Sequence, residues 1–241
     1  MPATTSRLGR VSTWLGRLCL VTVLLGPALA HFFIAAPIAG FGVFLLGVLF
    51  GVLAVIVGLL ALIFGPAGSR GATLAGIVLA LLVVVAVLVM SGARSDIPRI
   101  NDITTDTEKP PQFVHAGTLP ENAGRDMAYP GPSFAEQQKA GYSDLGPVTL
   151  AMPLDEAFKR VAAAARSMPT WVITREDASA HALEGYDTTW LFHFRDDFVI
   201  EVRPTPNGQS VVQMRSKSRD GKGDVGANAA RIKAFFQRLN S

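Results

Sequence analysis

The chain has 241 residues, 49% of them hydrophobic, and a mean hydropathy of +0.34. This is more apolar than an ordinary soluble domain and brings in the membrane class at once. Its net charge of +3 averages two unlike halves: all 19 acidic residues lie at or beyond Asp96, whereas only five basic residues (Arg7, Arg10, Arg17, Arg70 and Arg94) precede it. An isoelectric point near 9.2 would ordinarily suggest nucleic acid as a partner. Here the basic surplus flanks apolar stretches, where it sets orientation instead, so nucleic acid is not expected. The one cysteine, Cys19, excludes an intrachain disulfide and a Cys-cluster metal site.

Three spans are predicted, at about 14–34, 38–64 and 71–91, with apolar cores at 18–34, 38–64 and 72–90. Since about 20 helical residues cross the hydrocarbon core, the last two qualify readily. The first is shorter and holds Pro27 and His31. It reads either as a span or as a signal peptide with Ala28-Leu29-Ala30 at its cleavage site, and the prompt return of apolar sequence favours the span. Arg7, Arg10, Arg17 and Arg70 put the N-terminus in the cytoplasm and the chain after the third span outside it, with Arg94 and Arg99 opposing and Asp96 offsetting them. The expected location is a bacterial inner membrane with a periplasmic soluble domain, and the bilayer is the first expected partner. Gly47 and Gly51, and Ala72, Gly76 and Ala80, repeat small residues at a spacing that lets helices approach closely, either as general membrane packing or as a homo-oligomer face. The second and third spans hold no ionisable residue mid-span, which disfavours ion transport.

Residues 92–147 are rich in Pro, Gly and short polar residues and read as an extended connector. Residues 148–241 read as a soluble α+β domain. A strand is predicted at 148–152, then a helix carrying Leu154, Phe158, Val161, Ala165 and Met168, which Pro169 stops, then a strand at 171–175. Three further strands, at 189–194, from Phe198 and at 211–217, are paired by side-chain parity. Parity requires Phe194 opposite Phe198 around Arg195-Asp196-Asp197, and Thr205 opposite Gln209 around Pro206-Asn207-Gly208. Trp190, Phe192, Phe194, Phe198, Ile200 and Val202 then form one buried face. A last helix from Asp224 to Leu239, with Asp224 as its cap and Val225, Ile232, Phe236 and Leu239 as its stripe, completes the order β-α-β-β-β-β-α, with both helices on the aromatic face.

Chemistry is sparse. The run from Arg215 to Asp224 is the densest polar segment and ends at a helix start, so Arg215, Lys217, Arg219, Lys222, Asn228 and Arg231 are candidates for holding an anion or a partner. Against this, Arg215 and Lys217 alternate outward on a strand edge near Glu201, and a capping Asp224 repels an anion. No phosphate-loop motif or Gly-x-Ser-x-Gly elbow is present, and Ser216 and His193 point to opposite faces. Asp102, Asp106 and Glu108 lack the spacing of a calcium loop, and the four histidines are scattered. No catalytic residue, metal or cofactor is expected.

Ile100-Asn101-Asp102-Ile103-Thr104-Thr105-Asp106 with Pro110-Pro111-Gln112-Phe113, together with Arg215-Ser216-Lys217-Ser218-Arg219, Gly221, Asp224, Gly226, Asn228, Arg231 and Ile232, resembles the family of domain of unknown function 1499. Phe194-Arg195-Asp196-Asp197 fits as well, and the resemblance covers roughly residues 97–240. It implies no activity, but it implies that Asn101, Asp102, Thr105 and Asp106 matter jointly with the later polar run, as when the connector packs back on the domain. The expected function is a membrane-tethered, non-enzymatic module that binds a membrane or envelope protein or assists its assembly. A binder of an anionic or amphipathic molecule, such as a lipid headgroup at the turn from Arg219 to Asp224, comes second, and an unidentified hydrolase third.

Overall fold

The computed structural model describes residues 6–66, 70–90 and 97–241. The end of the third predicted span at residue 91, the first residues of the predicted connector with Arg94 and Asp96, and the side chain of Ala72 lie outside them. The chain divides into two units: Met1–Ser95 with Trp190–His193, and Asp96–Thr189 with Phe194–Ser241.

The first unit is built on helices α1 (Arg7–His31), α2 (Pro37–Phe64) and α3 (Arg70–Met90). Its burial is the inverse of a soluble protein's. α1 buries Gly9, Ser12, Gly16, Cys19, Gly26 and Ala30, and α2 buries Gly40, Gly47, Gly51, Ala54, Gly58 and Ala61, while Leu24, Ile63, Leu82 and Val89 are more than half exposed. Small residues let backbones meet where the surroundings are as apolar as leucine. A Cβ on Gly26 would lie 2.5 Å from the Gly40 carbonyl oxygen, and one on Gly51 would lie 2.9 Å from Cys19 Sγ and 2.8 Å from Val84 Cγ2. Ser12 Oγ donates to the Ala54 carbonyl at 2.8 Å. The small residues of the Gly47/Gly51 repeat thus pack helices of the same chain. Gly9 lies against Thr73 and Gly16 against Gly76, so α3 runs in the same direction as α1. Among the described residues, two helices, α1 and α2, are long and apolar enough to cross a bilayer, rather than the three predicted. Over its described side chains the third is apolar from Thr73 to Val89.

The second unit is an antiparallel sheet with helices. Its strands are β1 (Asp102–Thr104), β2 (Val148–Leu150), β3 (Trp171–Asp177), β4 (Ala182–Thr188), β5 (Arg195–Pro204) and β6 (Ser210–Ser218). Its helices are α4 (Pro132–Gly141), α5 (Leu154–Arg166) and α6 (Ala227–Asn240). The sheet order is β1-β6-β5-β4-β3, with β2 pairing β6 beyond β1. α5 and α6 cover the face of Leu183, Phe198, Ile200, Val202, Val212 and Met214 with Phe158, Val161, Ile232, Phe235 and Leu239, all buried. Burying each such side chain contributes about 1.5–3 kcal/mol. Trp171 stacks on Phe198 and Phe235 with ring centroids 4.0 and 5.4 Å apart, and Arg160 ties the helices by donating twice to the Leu239 carbonyl, at 3.1 and 2.7 Å.

Several expectations are corrected. Residues 189–194 form no strand but the turn between β4 and β5, so Phe194 does not face Phe198. Gly185 does, and Arg195-Asp196-Asp197 lie inside β5 paired with Thr188, Asp187 and Tyr186. The strand lies at β4, whose Ala-Leu-Glu-Gly-Tyr-Asp-Thr lacks apolar alternation because Glu184 is buried against backbone N–H groups and Asp187 pairs with Arg231. Trp190 is 78% exposed rather than buried, whereas Phe198, Ile200 and Val202 are in the core. The other hairpin follows its turn chemistry. Thr205 N–H donates to the Gln209 carbonyl at 2.9 Å, and Gly208 sits at φ +74°. The connector is not simply extended, since it supplies β1, two 3-10 turns (Ala116–Thr118 and Pro120–Asn122) and α4. Gln138 of α4 imitates a strand: its amide accepts from Thr104 N–H at 2.9 Å and donates to Thr104 C=O at 2.6 Å, closing the outer edge of β1. The last helix starts at Ala227 rather than Asp224, and Val225 is 71% exposed, outside the stripe.

Candidate functional site

Adjacent residues of a strand point to opposite faces, and β5 and β6 use this to separate charge. On the face away from α5 and α6 stand Glu184, Asp197, Arg215 and Lys217, and the segment 105–130 lies over them. Arg215 is 0% exposed. Its Nε and Nη2 donate to both oxygens of Asp102 at 2.8 Å, and Lys217 Nζ donates to Asp102 Oδ2 at 2.8 Å. The remaining Arg215 donors go to the carbonyls of Pro111 (3.3 Å) and Met127 (3.0 Å), with the guanidinium over the rings of Phe113 and Tyr129. Two buried cations around one carboxylate, with the spare donors on backbone oxygens, meet the condition under which buried charge is tolerated. The expectation that Arg215 and Lys217 face outward on an edge is therefore corrected: β6 is flanked by strands on both sides.

Asp197 accepts from Arg219 (Nη2 at 2.7 Å), Arg125 (3.0 Å) and Asn122 (3.1 Å), and Arg125 also donates to the Ser218 carbonyl at 2.6 Å. Arg219 and Arg195 both lie over the Tyr186 ring. Glu184, 2% exposed, accepts three successive backbone N–H groups from Val114 (3.0 Å), His115 (2.8 Å) and Ala116 (2.8 Å) at the entry to the first 3-10 turn. These donors have no other partner in a helical turn, so a carboxylate there fixes the covering segment in place.

The opposite face has one polar corner. Arg231 of α6 donates to Asp196 (2.6 Å), Asp187 (2.8 Å), Asn228 (2.8 Å) and Ser216 (3.0 Å). Asn228, 0% exposed, also donates to Ser218 Oγ at 2.9 Å and to the Asn101 carbonyl at 3.3 Å. The neighbours Asp196 and Asp197 thus serve different arginines on different faces. Ser216 is held among amide and guanidinium groups of α6.

At the 219–224 turn, Asp224 accepts from Gly226 N–H (2.9 Å) and Asn228 N–H (2.8 Å), so it caps α6 from two residues before the N-cap. Gly226, at φ +87°, makes the tight entry that a side chain would strain. Of the nominated cations, Lys222 alone is exposed, while Arg215, Lys217, Arg219 and Arg231 are all ion-paired. Asn101 donates to the Gly221 carbonyl at 2.8 Å, and Thr105 Oγ1 accepts from Met214 N–H at 2.9 Å. Asp106 accepts from the backbone of Glu108 and Lys109 and from Gln213. Burial pushes the Asp106 carboxyl up, but those donors and the nearby Arg203 outweigh it and hold it below its ordinary value. Burial first, and Asp102 second, push the Tyr129 phenol up to about 12.

The two polar runs therefore meet, residue against residue. A family model described as "Protein of unknown function (DUF1499)" matches residues 102–239. The chain belongs to the DUF1499 family. The DUF1499 match starts on Asp102 and includes the covering segment, so β1 and the cover lie inside the family's own unit, after the apolar helices. No protein of curated function matches the chain.

Reading the sequence missed Glu184, Asp187, Asn122, Arg125 and Gln138, and placed Asp196 and Asp197 in a loop. The available signal was Asp196-Asp197: once placed in a strand, two adjacent carboxylates need cations on both faces. Among the described residues, no cluster of three His, Cys, Asp or Glu side chains could hold a metal. Open hollows flank α4, one lined by Thr107, Glu108, Pro110, Tyr129, Pro132 and Lys139, and another by Thr105, Gln138, Lys139, Tyr142 and Pro147.

Proposed function

We propose that this protein is a membrane-tethered, non-enzymatic module, anchored by its N-terminal apolar helices in a bacterial inner membrane, whose DUF1499 unit binds or helps assemble an envelope partner on the extracytoplasmic side. The observation that carries this reading is the pairing of the charged side chains. Arg215, Lys217, Arg219 and Arg231 are engaged by Asp102, Asp197, Asp187 and Asp196 inside the unit, and so act as framework. A framework of this kind presents a rigid surface rather than a reacting group. An anion at the 219–224 turn would be left with Lys222, because Arg219 bonds to Asp197 and Asp224 bonds to the start of α6.

An extracytoplasmic DUF1499 unit requires α3 to cross as well as α1 and α2, and α3 is a helix of 21 residues that lies along α1 in the same direction. With Arg7, Arg10, Arg17 and Arg70 on the cytoplasmic side, the chain after α3 emerges outside. Alkaline phosphatase fused after Ser241 is expected to be active, and a fluorescent protein that folds only in the cytoplasm is expected to be dark. The reverse pattern overturns the topology. Native mass spectrometry from mild detergent tests the rest: a stoichiometric protein partner is the expected result, and a stoichiometric anionic lipid would replace this reading with the headgroup one.

A further inference from the structure

The hairpin between β4 and β5 is closed by Thr189 N–H donating to the Phe194 carbonyl at 2.8 Å and Phe194 N–H donating to Thr189 Oγ1 at 3.0 Å. Between them lie Trp190, Leu191, Phe192 and His193. Hairpin tips in water carry turn-forming polar residues, as Pro206-Asn207-Gly208 does at the neighbouring tip. This tip carries none, and its four residues belong to the helical unit rather than to the sheet they extend from.

Within that unit, Phe192 is 8% exposed and meets Phe41 and Phe44 of α2 edge-on, with centroids 5.3 and 5.4 Å apart. His193 lies 4.5 Å from His31 and 4.8 Å from Phe33, and His31 Nδ1 is 3.2 Å from the Trp190 carbonyl oxygen. The surrounding surface is apolar and open: Trp190 is 78% exposed, and Phe32, Phe33 and Ile34 of the α1–α2 turn are 69%, 73% and 71% exposed. Residues 32–44 and 189–194 contain no Asp, Glu, Lys or Arg. Left in water, this many contiguous aromatic and aliphatic groups would form an adhesive patch.

We propose that the Trp190–His193 tip docks into the headgroup layer of the bilayer, with the Trp190 indole in the interfacial aromatic belt. The occupant is lipid because the patch is continuous with α1 and α2 at the turn that joins them. An indole has an apolar body and one N–H donor, which suits a boundary that is oily on one side and wet on the other. The proposal rests on the reading of α1 and α2 as spans.

The test uses the full chain in phosphatidylcholine/phosphatidylglycerol vesicles, with and without lipid brominated high on the acyl chain. Emission of wild type minus that of Trp190→Phe isolates the Trp190 component from Trp14 and Trp171. That component is expected to lose about twofold or more of its intensity to brominated lipid while aqueous iodide barely quenches it. A Trp190 component quenched by iodide and untouched by brominated lipid overturns the proposal. Alkaline carbonate extraction of the same vesicles separates the two possible failures. Release of the protein into the supernatant defeats the spanning reading and the proposal with it. Retention together with iodide-quenched Trp190 defeats the tip proposal alone. Trp190→Tyr, which keeps an amphipathic ring, is expected to match wild type in its retention.

Discussion

The two faces of the DUF1499 sheet are closed by opposite means. One is covered by α5 and α6 and held by shape: Phe198, Ile200, Val202, Val212 and Met214 meet Phe158, Val161, Ile232 and Phe235. The other is covered by irregular chain and held by charge: Asp102 on Arg215 and Lys217, Asp197 on Arg219 and Arg125, and Glu184 on three backbone N–H groups. Helices satisfy their own backbone groups, so the surface beneath them needs only apolar contact. Irregular chain leaves N–H and C=O groups open, so the surface beneath it must supply partners.

The sharpest way to break this comparison is Asp102→Ala. It leaves a fully buried guanidinium and Lys217 without their shared carboxylate and is expected to cost about 3–5 kcal/mol. Urea unfolding of the full chain in mild detergent, followed through Trp171 fluorescence, measures it. Adding Arg215→Leu is expected to recover part of the loss, since the stranded charge is then gone. A cost for Asp102→Ala below about 1 kcal/mol would mean that charge does not hold the covered face.

Ile200→Ala, on the helix face and 0% exposed, is expected to cost about 2–5 kcal/mol by cavity formation. Being a packing loss, it is expected to respond little to salt. Tyr129 sharpens the comparison by pH. Its phenol is raised from 10.0 to about 12, so its contribution is full below the unfolded value and is lost as pH rises towards the folded one. Tyr129→Phe is therefore expected to lose less stability than wild type across that alkaline window, by up to about 1–2 kcal/mol after solvent screening. An identical alkaline slope in both proteins would show that the phenol is not buried beside Asp102. Asp224→Ala is expected to cost about 0.5–2 kcal/mol through the lost capping bonds, and exposed Lys222→Ala to stay within about 0.5 kcal/mol.

The same comparison explains what could be read in the sequence. The helix face was legible wherever one period dominated: Phe198, Ile200 and Val202 alternate, Phe158 and Val161 recur at helical spacing, and Pro206-Asn207-Gly208 fixes its own turn. The charged face was not. β4 carries Glu184 and Asp187 where a strand core is expected to carry Val or Ile, so the aromatic alternation at 189–194 drew the strand to the wrong place. Those aromatics are apolar for a reason outside the sheet, since they belong with the helices. The covering segment shows no period because its contacts are backbone groups and isolated side chains. The capping carboxylate of Asp224 was legible, but the glycine at positive φ that shifts the helix start to Ala227 was not.

The reach of the Asp102 bonds sets the order in which this unit can be completed. Asp102 joins Arg215 and Lys217 across 113 and 115 positions of the chain. A polypeptide is made from its N-terminus, so β1 and the segment after it exist long before β6, the strand they pair with. Contacts this distant in sequence form slowly, because a long loop must close before any bond rewards it. During that interval the waiting segment is proline-rich and hydrophilic, with an aspartate at its head, and so has little to aggregate with. Closing the second face with charge rather than oil gives the nascent chain a soluble surface until its last strand arrives.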